Sequence, residues 1–232
     1  MRRACVVSLV AGLVWLLGGG AAQAKEFTLP AAEVHVKVRA DGSVRVTEHI
    51  TYSFDGSFRG GFREIPLRPG EQLVDAQVSE GGEAYAPGAP ASIGSSGSPG
   101  TFGTADTGTG VRIVWHYDAT DEERTFTIEY TLVGLAEAWD DVVDVYLQVW
   151  GDEWDVELER LSGRVIVPGA QEDSVRVWGH AAGVDGATAL LDGGRGASFV
   201  AEHVPPGQFV EVRVVFPRSR LASTDGAKLR SG

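Results

Sequence analysis

The chain predicts an all-β domain, an antiparallel β-sandwich of about ten strands, with a β-barrel as the alternative. Strict alternation is the first reason. Val44, Val46, Ile50, Tyr52 and Phe54 share one face of the segment 43–54, and Arg45, Thr47, His49, Thr51 and Ser53 share the other, which is the period of a half-buried strand. The second reason is that nothing beyond residue 24 carries the apolar spacing of an amphipathic helix. Asp41-Gly42 adds a third, as a turn pair able to take positive φ between the first two strands.

The N-terminus is read as a signal peptide over residues 1–24. Met1-Arg2-Arg3 supplies its positive end, the run from Ala4 to Leu17 its apolar middle, and Ala22-Gln23-Ala24 the small residues of a cleavage site. The apolar run is short for a transmembrane span of about 20 residues. Cleavage after Ala24 leaves a chain long enough for one domain with a real core. The full sequence has a formal charge of −12, and cleavage removes Arg2 and Arg3 and makes it more acidic. Such a chain has no basic stripe for nucleic acid. The only cysteine, Cys5, leaves with the signal, so thiol chemistry and cysteine-bound metal are excluded and the domain depends on its core.

The first strand is 33–39, with valines on one face and charges on the other, and 43–54 follows the turn. Glu48 breaks the alternation of 43–54 by falling on the apolar face. A buried carboxylate needs a cation or several hydrogen bonds. Arg59, Arg63 and Arg68 lie just downstream, and a pair with Arg63 is one reading, since a guanidinium binds a carboxylate through two bonds. A β-bulge turning Glu48 to solvent is the other. The segment from Phe54 to Gly70, rich in Arg, Gly, Pro and Phe, joins this strand to the next, at 73–78.

From 81 to 110 the chain is Gly, Ser, Ala, Pro and Thr, with too little apolar content to offset the entropy of ordering. It is expected to be a flexible loop, either a tolerated insertion or a mobile recognition segment. Strands then resume on Val111, Ile113, Trp115 and Tyr117, on Phe126, Ile128, Tyr130 and Leu132, and on Val143, Val145, Leu147 and Val149. Further strands are expected at 157–168, 174–178, 197–203 and 209–216. The β-domain thus spans 25–217, and 218–232 is expected to be a disordered tail.

Candidate chemistry concentrates in an acidic, aromatic stretch. Asp140, Asp141, Asp144, Asp152, Glu153 and Asp155 fall near Trp139, Tyr146, Trp150 and Trp154. Carboxylates suit calcium, which takes six to eight oxygen ligands, and exposed tryptophans suit sugars. The plain reading is a solvated acidic loop with tryptophans in the core. The candidate binding surface is therefore Arg59, Arg63, Glu64, Arg68, Trp139, Asp140, Asp144, Trp150, Asp152 and Trp154. No catalytic residue, cofactor or metal is assigned. There is no Gly-x-Ser-x-Gly elbow, and the Gly-rich stretches open no helix. His35, His49, His116, His180 and His203 are scattered and read as surface residues. Glycoside hydrolysis needs two carboxylates at a set separation, which spacing alone does not establish.

Several motifs together resemble one family. They are Asp41-Gly42-Ser43-Val44 leading to Glu48, Phe54-Asp55-Gly56-Ser57-Phe58, and Gly61-Phe62-Arg63-Glu64-Ile65-Pro66. Phe126-Thr127-Ile128-Glu129-Tyr130, Trp150-Gly151-Asp152-Glu153-Trp154-Asp155-Val156 before Val165-Ile166-Val167-Pro168, and Pro206-Gly207-Gln208 before Val214-Val215-Phe216-Pro217 continue the series. In this order, over residues 27–217, they are similar to the N-terminal extracytoplasmic domain of the DUF2207 family of predicted membrane proteins. The resemblance implies a signal peptide, this β-domain and then transmembrane helices, but no catalytic residues. No such helix follows here, so the chain is expected to be a truncated or split version, or a soluble member. Three functions follow as expectations: an exported, non-enzymatic domain that binds an envelope or membrane protein; a carbohydrate or cell-wall binding module; and, third, a hydrolase.

Overall fold

A computed structural model describes residues 25–231. The expected signal peptide lies outside the described residues, as does Gly232 at the end of the expected tail. In chain order the strands are β1 (Glu26–Val38), β2 (Val44–Asp55), β3 (Ser57–Pro66), β4 (Gln72–Glu80), β5 (Glu83–Ala84), β6 (Ala86–Pro87) and β7 (Thr101–Asp106). They continue as β8 (Gly110–Thr120), β9 (Glu123–Val133), β10 (Glu137–Ala138), β11 (Val142–Trp150) and β12 (Leu158–Ile166). The last are β13 (Arg176–His180), β14 (Asp185–Leu190), β15 (Gly196–Val204), β16 (Val210–Pro217) and β17 (Lys228–Leu229).

They form three open sheets. The largest runs β14-β15-β12-β1-β2-β9-β4-β5, the second β13-β16-β11-β10-β17, and the third β3-β8-β7-β6. No sheet closes on itself, so the fold is a layered all-β domain and not a barrel. One apolar cluster takes the inward faces of all three sheets, with Val36, Val46, Ile50, Phe126 and Ile128 from the first, Val145, Val214 and Phe216 from the second, and Ile113, Trp115 and Tyr117 from the third. Each contributing strand alternates buried and more open residues, as in Val44–Asp55 and Val142–Trp150. This is how a sheet with one covered face meets the core.

The structure corrects four expectations. The sheets are not wholly antiparallel, because β1 pairs with β12, β6 with β7, and β10 with β17 in parallel. Alternation fixes which face a side chain takes but carries no strand direction. The 54–70 segment is more than a connection, since most of it is β3, paired with β8. Gly61 permits this, because a Cβ there would lie 2.8 Å from the Trp115 ring.

The segment 81–110 is not all loop. β7 pairs antiparallel with β8, and Phe102 is buried. Backbone bonds replace apolar content here. Ala86 donates to Gly100 at 2.8 Å, Gly100 to His116 at 2.8 Å and Ala89 to Phe102 at 2.9 Å. The expected tail is also ordered through residue 231. Ala222 donates to the Ala40 carbonyl at 2.7 Å, Gly226 to Asp41 at 2.8 Å and Lys228 to Ala136 at 2.8 Å. Composition does not reveal such bonds, because every residue but proline carries the same donor.

Candidate functional site

Strict alternation along β2 carries Glu48 into the core, where it is 1% exposed. Arg63 of β3 is equally buried and donates from Nε to Glu48 Oε2 at 3.0 Å. The Tyr130 hydroxyl of β9 donates to the other oxygen at 2.6 Å. Arg63 Nη1 donates to the Glu64 carbonyl at 2.7 Å and also meets the Glu153 carboxylate. Burial opposes the Arg63 charge, yet Glu48 and Glu153 hold its guanidinium above the usual range. Burial first, and then the Glu48 charge, push the Tyr130 hydroxyl well above its ordinary value. The network fastens β2, β3, β9 and the turn after β11 together, and every member is spent on another.

This placement revises part of the expected surface. Arg63 is a core residue. Trp150 and Trp154 are 1% and 8% exposed and stack on each other, centroids 4.6 Å apart and planes at 7°. They offer no ring to a sugar, because the apolar faces needed for stacking already meet each other and Tyr52. Glu64 accepts from Arg112 Nε at 2.7 Å, while Asp140 and Asp152 are exposed in turns. His116 is not a surface histidine either. It is 1% exposed beneath the 90–99 segment, with Nε2 3.2 Å from the Pro90 carbonyl.

Two places on the surface take in residues of the expected binding surface. The first is a groove of about 610 Å³ on the outer face of the four-stranded sheet, walled by β3, β8 and the 93–99 segment. Phe62 and Ile93, 37% and 60% exposed, stand in it with Phe58 and Val114, and Lys25 and Arg59 lie at its rim. Gly60, with no side chain on this face, keeps its floor low. Arg59 is thus the one residue of the expected surface that reaches this groove, and it faces Asp118 at 3.7 Å.

The second place is the outer face of the five-stranded sheet. Cross-strand register sets Trp178, Arg213 and Tyr146 in one row over β13, β16 and β11. Arg213 grips Asp144, with Nε 3.0 Å from both oxygens and Nη2 2.5 Å from one, and its guanidinium lies 5.5 Å from the Trp178 ring centre. The Tyr146 hydroxyl donates to Glu211, a bond that raises its pKa, and Arg68 Nη2 reaches the Tyr146 carbonyl at 3.1 Å. Hollows of about 350 and 310 Å³ lie on either side of the Asp144–Arg213 pair, the first holding Arg68 and the second Trp139. Arg68, Trp139 and Asp144 of the expected surface therefore come together here.

Sequence reasoning missed Phe62, Ile93, Trp178 and Arg213 as surface features. For Trp178 a signal existed, because it alternates with Val177 and shares a face with Arg176 and His180. For Ile93 none did. Among the described residues, no group of three or more His, Cys, Asp or Glu is placed to hold a metal ion. No described helix is long and apolar enough to cross a membrane, which says nothing of spanning strands.

A family model described as the N-terminal domain of a predicted membrane protein (DUF2207) matches residues 28–216. No protein of curated function matches the sequence. Solved structures that resemble the chain include a Legionella pneumophila protein provisionally described as nutrient-binding, at TM-score 0.47 and 8% identity, covering 81% of this chain and 66% of that one. Leukotriene A4 hydrolase from Saccharomyces cerevisiae gives 0.45 and 10%, covering 82% and 29%. An M1 zinc metallopeptidase from Deinococcus radiodurans gives 0.41 and 11%, covering 80% and 42%. The chain thus spans less than two thirds of each of these structures.

Proposed function

Since the chain belongs to the DUF2207 family as its N-terminal domain, we propose that it is a non-enzymatic binding domain, displayed outside the cytoplasm, that holds an apolar segment of an envelope protein in the β3–β8 groove. One observation carries this reading. The groove, of about 610 Å³, presents Phe62 to solvent on a sheet face where alternation would otherwise place a polar residue, with Ile93 of the 93–99 segment exposed beside it. Exposed apolar side chains gathered in a hollow mark contact sites more often than singly scattered ones do. Lys25 and Arg59 at the rim favour a segment that carries acidic residues beside its apolar ones.

Photo-cross-linking in intact cells tests this, with a photoreactive residue in place of Ile93. One envelope protein is expected to be captured, and a second change, Phe62→Asp, is expected to abolish that capture while the melting temperature stays within a few degrees. Equal capture with and without Phe62→Asp, or none in either, rejects the reading.

A further inference from the structure

We propose that the outer face of the five-stranded sheet is a second binding site, for a neutral polysaccharide chain, with Trp178 as its stacking platform. This face is separate from the β3–β8 groove and shares no residue with it.

The ligand class follows from what the face offers. Trp178 is 44% exposed, whereas Trp115, Trp150 and Trp154 are buried. An indole left in water at the centre of a strand presents a flat apolar surface of the kind a pyranose ring covers with its C–H face. Three of the polar residues around it are already held by neighbours. Arg213 is held by Asp144, Tyr146 by Glu211 and Arg68 by Glu71. The charges left without an ion-pair partner are of both signs, Arg176 against Glu211 and Asp141, so the face has no single-sign field for a nucleic acid or a phosphate. A protein partner with an apolar surface would strip water from these groups and return no hydrogen bonds, which is costly. Hydroxyl groups both donate and accept, so a sugar satisfies the spare lone pairs of Asp144 and Glu211 and the spare N–H groups of Arg213 without breaking their pairs.

The shape agrees. The two hollows meet at the Asp144–Arg213 pair, so a chain crossing that pair meets polar groups in both. His180 borders the first hollow with its ring edge against Tyr146, centroids 5.8 Å apart at 83°, and Trp139 borders the second. Each hollow is near the lower end of the size usual for ligand sites, which suits single sugar units in series.

The full chain, purified from the medium or the periplasm, is mixed with insoluble cellulose and with chitin, and soluble chitohexaose is titrated while tryptophan emission is followed. Sedimentation with at least one polysaccharide and a change in emission are expected. Trp178→Ala is expected to weaken binding by at least about tenfold, the loss of roughly 1.4 kcal/mol. Trp178→Phe is expected to keep most of it, and Phe62→Asp to leave it unchanged. Because Trp178 is exposed, its variants should melt with the wild type, which guards against simple unfolding. The proposal is overturned if the wild type neither sediments nor responds, or if Trp178→Ala binds as the wild type does. Failure here leaves the groove reading standing, and loss of capture at the groove leaves this one standing.

Discussion

Glu48 occupies a position where the pleat of β2 demands an apolar side chain, and its tolerance depends on Arg63 and Tyr130. Removing its charge leaves a guanidinium in the core with only Glu153, which is partly open to water, to balance it. Glu48→Gln is therefore expected to cost about 3–5 kcal/mol, read from urea unfolding. The pair replaced together, Glu48→Leu with Arg63→Met, is expected to recover most of that loss, since a hydrophobic pair of similar volume avoids the cost of desolvating two charges. Equal loss in both variants contradicts the account. Part of this arrangement was legible. A carboxylate that breaks alternation signals a partner, and Arg63 lay only fifteen residues on. Glu153 and Tyr130 were not legible, because they stand 90 residues from Arg63 and 82 from Glu48.

At the scale of elements, faces were readable and neighbours were not. The apolar sets on β2, β8, β9 and β11 emerged from alternation, and all but the half-buried Val111 are buried in the fold. The parallel pairing of β1 with β12 left no such trace. Its one local mark is Gly163, where a side chain would collide with the Val34 carbonyl and approach the Phe199 ring at 2.5 Å. Gly163→Val is expected to destabilise by roughly 1–3 kcal/mol and to lower Tm by about 2–12 °C. A calorimetric Tm equal to that of the wild type would mean that the two strands can part without penalty. β7 and the ordered residues after β16 escaped notice for a different reason. They are held by main-chain bonds and close glycine contacts, and composition is a poor guide to either. Among the expected surface residues, Arg68 converged on Asp144 because it reaches across to the Tyr146 carbonyl of β11, while Trp139 sits in the turn that leads into that strand, and no spacing along the chain encodes the first of these.

For the molecule as a whole, carboxylates set the response to acid. The hydrogen bond from Ser43 holds Asp41 below its ordinary 3.8. His35 does the same for Glu33, and Arg230 for Glu137, below 4.5. Burial works against the Glu80 charge, but Arg124 and Tyr85 outweigh it and keep that group below 4.5 as well. In each case the unfolded chain binds protons more readily than the native one. Stability from these groups is complete above the ordinary values and is lost as pH falls through the lowered native ones. The urea midpoint is thus expected to hold steady from neutral pH down to about 5 and to fall below about 4. A midpoint that stays level down to about pH 2 excludes these groups as the cause.

The parallel neighbour of β1 also carries a consequence in time. β1 and β2 can join as soon as both have emerged, but the other side of β1 waits for β12, which begins at Leu158. Until then an inner strand of the largest sheet is an edge, lined with open backbone donors and acceptors. Pairings over such separations form slowly and leave partly built sheets prone to association. A chain of this topology benefits from a holding chaperone while it folds, and its yield should be limited by its own concentration.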